Sequence, residues 1–234
     1  MKPRILIFCD FYLPGHKSGG GMWTVVNLVK RFKEQFEFHI VTRNHDGYGD
    51  RRPYDDVKTG AWNSVGDASV LYVNSKMITQ RRFQEIIDEV GPDVVYLNSV
   101  FCTLVVKFLT LRRRRGLYRV PVVLAPCGEL SPAALGLKKV KKRTFLGAAR
   151  AAGLYRTVIW KASAEAEMGE IRKVIGRATT VLVAPDLPPR EILPDLDLSN
   201  KPEKRVGSVS LICVTRITPM KNLLFLMKTL AKLK

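Results

Sequence analysis

Acidic residues are scarce in this chain: 21 Asp and Glu stand against 39 Lys and Arg, a formal net charge of +18 over 234 residues. Cysteine is scarce too. Cys9, Cys102, Cys127 and Cys213 lie far apart, with no metal-ligand spacing, which excludes a zinc ribbon and the disulfide framework of a small secreted domain. The expected setting is a reducing cytoplasm. No apolar run approaches the ~18 residues of a membrane span. The opening Met1-Lys2-Pro3-Arg4 leads straight into a strand pattern, so the expectation is a soluble, non-secreted protein. Neither the dinucleotide fingerprint G-x-G-x-x-G nor a Walker phosphate loop occurs. What remains is an ordinary globular mix, 46% hydrophobic and 26% charged, which rules out wholesale disorder. At roughly 150 residues per domain, the length predicts one large domain, or one domain and part of another.

The positive charge is concentrated. Residues 101–180 hold 17 basic and 4 acidic side chains, including the run Arg112 to Arg115 and the cluster Lys138, Lys139, Lys141, Lys142 and Arg143. Such a field attracts nucleic acid, phospholipid head groups or phosphorylated substrates, although a solvated basic helix face also fits each run alone. No zinc-finger spacing, aromatic RNA-binding signature or basic-region heptad is present, so nucleic acid is not the expected partner.

Hydrophobic periodicity predicts strands at 4–11, 38–42, 70–73, 94–98, 120–125, 158–162 and 180–184. Helices are predicted at 22–35, 79–90, 101–115, 131–155 and 164–175. Strands alternating with helices imply an α/β protein with a parallel sheet covered on both faces. Residues 43–68 are polar and turn-rich and read as a long loop. Residues 185–207 carry Pro185, Pro188, Pro189, Pro194 and Pro202 and read as a linker. One further strand–helix pattern follows at 208–214 and 220–233. A single such unit cannot bury its own faces, so 208–234 reads as the incomplete start of a second domain, and the chain as a fragment of a longer protein.

Two segments carry chemistry. Gly19-Gly20-Gly21 follows the first strand and opens the first helix. Glycines there let the backbone approach a ligand, and the helix N-terminus offers amides and a positive dipole end to an anion. A flexible turn is the alternative. Thr215-Arg216-Ile217-Thr218-Pro219-Met220-Lys221-Asn222 joins the last strand to the last helix. Its Arg216 and Lys221 can clamp a diphosphate at a strand's carboxyl end, or can be two solvated cations at a domain edge. Three single residues join the candidates: His16 in the loop before the glycines, Asn98 at the end of a strand, and Glu129 after the next strand.

The chain resembles a family 4 retaining glycosyltransferase of the GT-B fold, in which two Rossmann-like domains face each other across a cleft. Val214-Thr215-Arg216-Ile217-Thr218-Pro219-Met220-Lys221-Asn222-Leu223 is similar to the opening of that family's C-terminal domain, and Gly19–Gly21 to its N-terminal glycine loop. Pro92-Asp93-Val94-Val95-Tyr96-Leu97-Asn98-Ser99 resembles the strand that often ends in His-x-His; Tyr96 and Asn98 stand there instead, so no histidine role is carried over. Ala125-Pro126-Cys127-Gly128-Glu129-Leu130-Ser131-Pro132, followed by Leu137-Lys138-Lys139, resembles a subgroup acting on cell-surface polysaccharides, with Cys127 where that subgroup usually has Arg.

The resemblance implies a Rossmann-like doubly wound sheet over 1–184 on the acceptor side. Residues 208–234 would begin the nucleotide-sugar-binding domain. It further implies sugar transfer from a nucleotide diphosphosugar to a glycan or lipid-linked acceptor, without a metal or other cofactor. Arg216 and Lys221 would hold the donor diphosphate from one side and Gly19, Gly20 and Gly21 from the other. Asn98 would hydrogen-bond a sugar hydroxyl; on their own positions, Glu129 joins the acceptor and sugar side or serves a turn or cap, and His16 joins it by touching a phosphate or is a solvated loop residue. The family's C-terminal pair of glutamates would fall beyond Lys234, so the fragment alone should be inactive. Lys138, Lys139, Lys141 and Lys142 would meet an anionic membrane from its inner face. The rival reading is a non-catalytic module that binds anionic surfaces through 101–180. A nucleotide-sugar epimerase would need the dinucleotide fingerprint and a Tyr-x-x-x-Lys pair, and both are missing.

Overall fold

The computed structural model describes residues 1–47, 49–189, 206–215, 217 and 221–232. The chain divides into two compact units, Met1–Arg190 and Glu191–Lys234.

The first unit is built on strands β1 (Arg4–Phe8), β2 (Glu37–Arg43), β3 (Trp62–Val65), β4 (Ala68–Val73), β5 (Val94–Asn98), β6 (Val122–Ala125), β7 (Val158–Ala162) and β8 (Val181–Val183). They form one sheet in the order β3-β4-β2-β1-β5-β6-β7-β8. Every pairing is parallel except β3 with β4. Helices α1 (Gly20–Phe32), α2 (Gln80–Val90), α3 (Thr103–Arg115), α4 (Pro132–Gly136), α5 (Lys139–Ala151) and α6 (Glu165–Ile175) connect the strands. This is the doubly wound, Rossmann-like arrangement expected from the alternation of patterns.

The pleat of β1 shows why both faces are covered. Leu6 and Phe8 enter the core that also holds Phe83 of α2 and Phe108 of α3, whereas Ile7 and Cys9 join the core under Val25 and Val29 of α1. The Phe8 ring lies 5.2 Å from Phe83 and 5.1 Å from Phe108, within the range of favourable aromatic pairing. Ordinary end signals bound α2: Thr79 caps its start by accepting from the Arg82 amide at 3.1 Å, and Gly91 in the left-handed region closes it.

The loop expected over 43–68 contains an edge strand. β3 returns antiparallel onto β4 through the two-residue turn Gly66-Asp67, with Gly66 at φ 58°. β3 adds His39 of β2 to a small polar cluster. The ring packs edge-on to Trp62 at 5.4 Å, and its Nδ1 has no partner among the described residues. Burial pushes the His39 pKa below 6.5, against a raising influence from Glu37. The unfolded chain therefore binds more protons there as pH falls, so His39 contributes stability above pH ~6.5 that is lost below it. Denaturant titrations should show a smaller loss of stability on acidification in His39→Gln than in the wild type.

Arg112, the first residue of the expected surface run, is buried at 2% exposure. Its guanidinium donates to Arg156 O and Thr157 Oγ1, both at 2.7 Å, and lies 4.6 Å from the centre of the Tyr118 ring. It ties the end of α3 to the start of β7, whereas Arg113, Arg114 and Arg115 remain exposed.

In the second unit, helix α7 (Leu223–Leu230) forms within the expected helical stretch. The strand expected at 208–214 does not form. Val209, Leu211, Ile212 and Val214 there are 82%, 66%, 89% and 94% exposed. A strand exists by exchanging backbone hydrogen bonds with a neighbour, and this segment has none among the described residues.

Candidate functional site at the sheet's switch point

The strand order reverses at β1. The chain runs outward through β2 and β4, then crosses back to place β5 on the other side of β1. Open α/β sheets bind ligands outside the carboxyl ends of the strands at such a point. Here it is formed by the loop after β1, the first turn of α1 and the loop after β5.

The first loop is moored, not slack. Asp46, 6% exposed, accepts the backbone amides of His16 at 2.9 Å and Lys17 at 3.1 Å. The His16 ring stands out with 80% of its side chain exposed, its Nδ1 3.4 Å from the same carboxylate. Tyr72 Oη donates to Leu13 O at 2.5 Å. Gly15 must be glycine, because a Cβ would lie 2.5 Å from Tyr54 Oη and 2.8 Å from Asp46 Oδ1. Where β1 ends, Asp10 Oδ1 accepts from Arg43 Nε at 2.9 Å and binds the loop to β2.

Gly19 takes φ 70°, which requires glycine, and sits before α1 without any side-chain cap. The first amides of a helix have no acceptor inside it. Those of Gly20 and Gly21 gain none among the described residues. A Cβ at Gly20 would meet nothing within 4 Å, and one at Gly21 only Asn98 Oδ1 at 3.9 Å. Asn98 Nδ2 donates to Gly21 O at 3.1 Å, and Cys127 Sγ donates to Asn98 Oδ1 at 3.3 Å. Asn98 thereby links the end of β5 to the glycine turn.

Buried carboxylates order the two neighbouring turns. Ser99 holds φ 85°, a strained value for a residue with a Cβ, and donates its hydroxyl to both carboxylate oxygens of Glu129 at 2.8 and 2.9 Å. Glu129 also accepts the amides of Val100 at 2.7 Å and Phe101 at 3.4 Å, and Ser99 Oγ accepts that of Cys102 at 3.2 Å. Burial raises the Glu129 pKa even though these bonds pull the other way. Glu167, 7% exposed, accepts the Gly128 amide and both donors of Ser163, each at 2.7 Å, at the start of α6. Glu129 and Glu167 thus take the amides of Val100, Phe101, Gly128 and Ser163, all outside the helices, and α3 and α6, like α1, have no side-chain cap.

Burial pushes the Cys9 thiol up to about 12 and Cys102 well above its usual value, so neither is a nucleophile at neutral pH. No group of three or more His, Cys, Asp or Glu fit to hold a metal occurs among the described residues.

The structure therefore brings Gly19, Gly20, Gly21, Asn98 and, one step behind, Glu129 to one edge. His16 belongs to the moored loop. Lys221 is an exposed residue of the second unit. Arg216 lies outside the described residues. Two residues escaped the sequence reading: Asp46, which only the fold brings to the loop, and Ser99, whose φ no local pattern announces.

No protein-family model and no curated protein matches the chain. Among solved structures it is similar to the dTDP-glucose 4,6-dehydratase of Bacillus anthracis str. Ames in complex with NAD, at 13% identity and a TM-score of 0.40, covering 68% of this chain and 53% of that one. It is also similar to an alpha,alpha-trehalose-phosphate synthase (UDP-forming) from Burkholderia vietnamiensis, at 13% identity and a TM-score of 0.41, covering 79% of this chain and 47% of that one. The chain thus spans about half the length of each. By its own strand order and crossovers, it is a Rossmann-like α/β protein.

Proposed function

We propose that the chain is the acceptor-side half, with the beginning of the donor-side half, of a family 4 retaining glycosyltransferase. The donor is a nucleotide diphosphosugar and the acceptor a cell-surface polysaccharide or lipid-linked glycan, met at the inner face of a membrane. The observation that carries the reading is the glycine-framed start of α1 at the switch point, where Gly19 holds φ 70°, no side chain caps the helix and a Cβ at Gly20 would meet nothing within 4 Å. As the glycosidic bond to the donor breaks, the diphosphate gains charge. Amides held in place before the reaction stabilise that charge more in the transition state than in the ground state. Arg216 and Lys221 would supply the opposing cations, and residues 208–234 would open the domain that binds the nucleotide.

Gly20→Ala tests this directly. Because an added methyl meets no protein atom, thermal stability should hold or rise, by at most ~1 kcal/mol for glycine to alanine in a helix. The same methyl occupies the space the diphosphate would need, so transfer by the full-length protein should fall by at least tenfold. Undiminished transfer by a folded Gly20→Ala protein would place the donor elsewhere.

A further inference from the structure

The hairpin formed by α4 and α5 leaves the sheet edge just after Glu129. Its tip, Gly136 to Lys141, is exposed at every residue. Two tip residues are apolar: Leu137 is 44% and Val140 79% exposed. Lys138, Lys139 and Lys141 flank them, with Arg143 one residue further along, also exposed. The chain carries no acidic residue between Glu129 and Glu165.

A solvated charged face looks different in this same protein. On α2, Arg81 and Arg82 both pair with Glu85, at 3.0 and 3.3 Å, and Gln84 bonds Asp88. On the α4–α5 tip, no acidic partner meets Lys138, Lys139 or Lys141 among the described residues. Those lysines also crowd the start of α5, the positive end of a helix dipole, where cations are unfavourable. Lys138 adds a left-handed φ of 54° without being glycine. Local preference is violated three times in one place, and such conflicts mark function more often than packing. Lys142 differs from its neighbours: its Nζ donates to Ala134 O at 2.7 Å and stands 4.9 Å from the centre of the Phe101 ring. It holds the hairpin closed.

We infer that this tip is a membrane-docking element. Lys138, Lys139, Lys141 and Arg143 engage anionic phospholipid head groups while Leu137 and Val140 enter the boundary between head groups and acyl chains. Exposed apolar side chains between unpaired cations suit a bilayer, which offers anionic and apolar layers together; a nucleic acid offers no apolar layer to a helix tip. The inference deepens the proposed function and rests on it only for a lipid-linked acceptor.

The test is flotation of the whole chain with vesicles of phosphatidylcholine, alone or mixed with phosphatidylglycerol. Binding is expected only to the mixed vesicles and should weaken with salt. Triple reversal at Lys138, Lys139 and Lys141 to Glu should lower partitioning on the order of 100-fold, as three cations at an anionic surface would. Leu137→Ser with Val140→Ser should remove the part of the binding that survives high salt, with the charge unchanged. Reversal of Arg51, Lys58 and Lys76, exposed lysines and arginine of other segments, should have a much smaller effect. Equal loss from both triple reversals would overturn the docking tip in favour of diffuse attraction. So would unchanged vesicle binding in the folded tip variants, or capture by duplex RNA at salt concentrations that release the vesicles. Measuring the Gly20→Ala effect on a soluble acceptor separates the two proposals, since vesicle binding does not involve the glycine turn.

Discussion

Lys221→Ala in the full-length protein should lower turnover about 100-fold or more, the scale of losing one preorganised group that stabilises transition-state charge. The residue lies at the turn into α7, followed by Asn222 in the left-handed region at φ 47°. In the proposed function, the Lys221 ammonium and the dipole of α7 would act on the same phosphate. Lys221→Arg should rescue poorly, because a planar fork does not replace a compact point charge at a tight site. Arg216→Ala should cause a loss of similar size. If both cations act on one diphosphate, the double variant should fall short of the product of the two losses. Steady-state kinetics of the three variants decide the matter: near wild-type turnover in folded single variants would leave the likeness at 214–223 without catalytic meaning.

The largest loss of stability is expected far from the site. Arg112→Ala removes two hydrogen bonds from a charged donor and the stacking on Tyr118, and leaves Arg156 O and Thr157 Oγ1 without their donor. Losing two hydrogen bonds to a charged group should cost about 3 kcal/mol or more. For a domain of this size that lowers the midpoint of thermal unfolding by roughly 6–12 °C. Arg112→Lys keeps the charge but reaches only one acceptor, so its midpoint should fall between those of wild type and Arg112→Ala. Calorimetry on the three proteins checks the order. Alanine at Arg114, exposed on the same helix, should leave the midpoint nearly unchanged.

Arg112 also shows where sequence reading succeeds and stops. Alternating apolar runs were enough to place the parallel strands and most helices, because burial on both faces forces continuous apolar strands. By charge alone the Arg run forms one block, yet Arg112 continues the buried stripe Leu104, Val105, Phe108 and Leu109 at helical spacing. The period carried the answer, and the charge concealed it. β3 is hidden from periodicity because Trp62-Asn63-Ser64-Val65 does not alternate, although Gly66-Asp67 is a fair hairpin signal. Its position after β6 leaves Glu129 open to an acceptor sugar or to a turn or capping role, and its contacts match the second. Its carboxylate holds Ser99 and two amides some thirty residues away in sequence, a pairing that only the parallel neighbours β5 and β6 create. The glycine turn was legible because backbone chemistry alone sets it apart. Its mooring by Asp46 was not, since that contact exists only once β1 and β2 pair.

That mooring has a kinetic consequence. A loop that closed on the donor only upon binding would lose its conformational freedom with each turnover, and the loss would be subtracted from affinity. Here Asp46, Tyr72 and Asn98 order the loop and the first helical turn when the first unit folds. A donor bound at this turn would therefore meet a surface already shaped for it, and the entropy of ordering would belong to folding, not to each encounter.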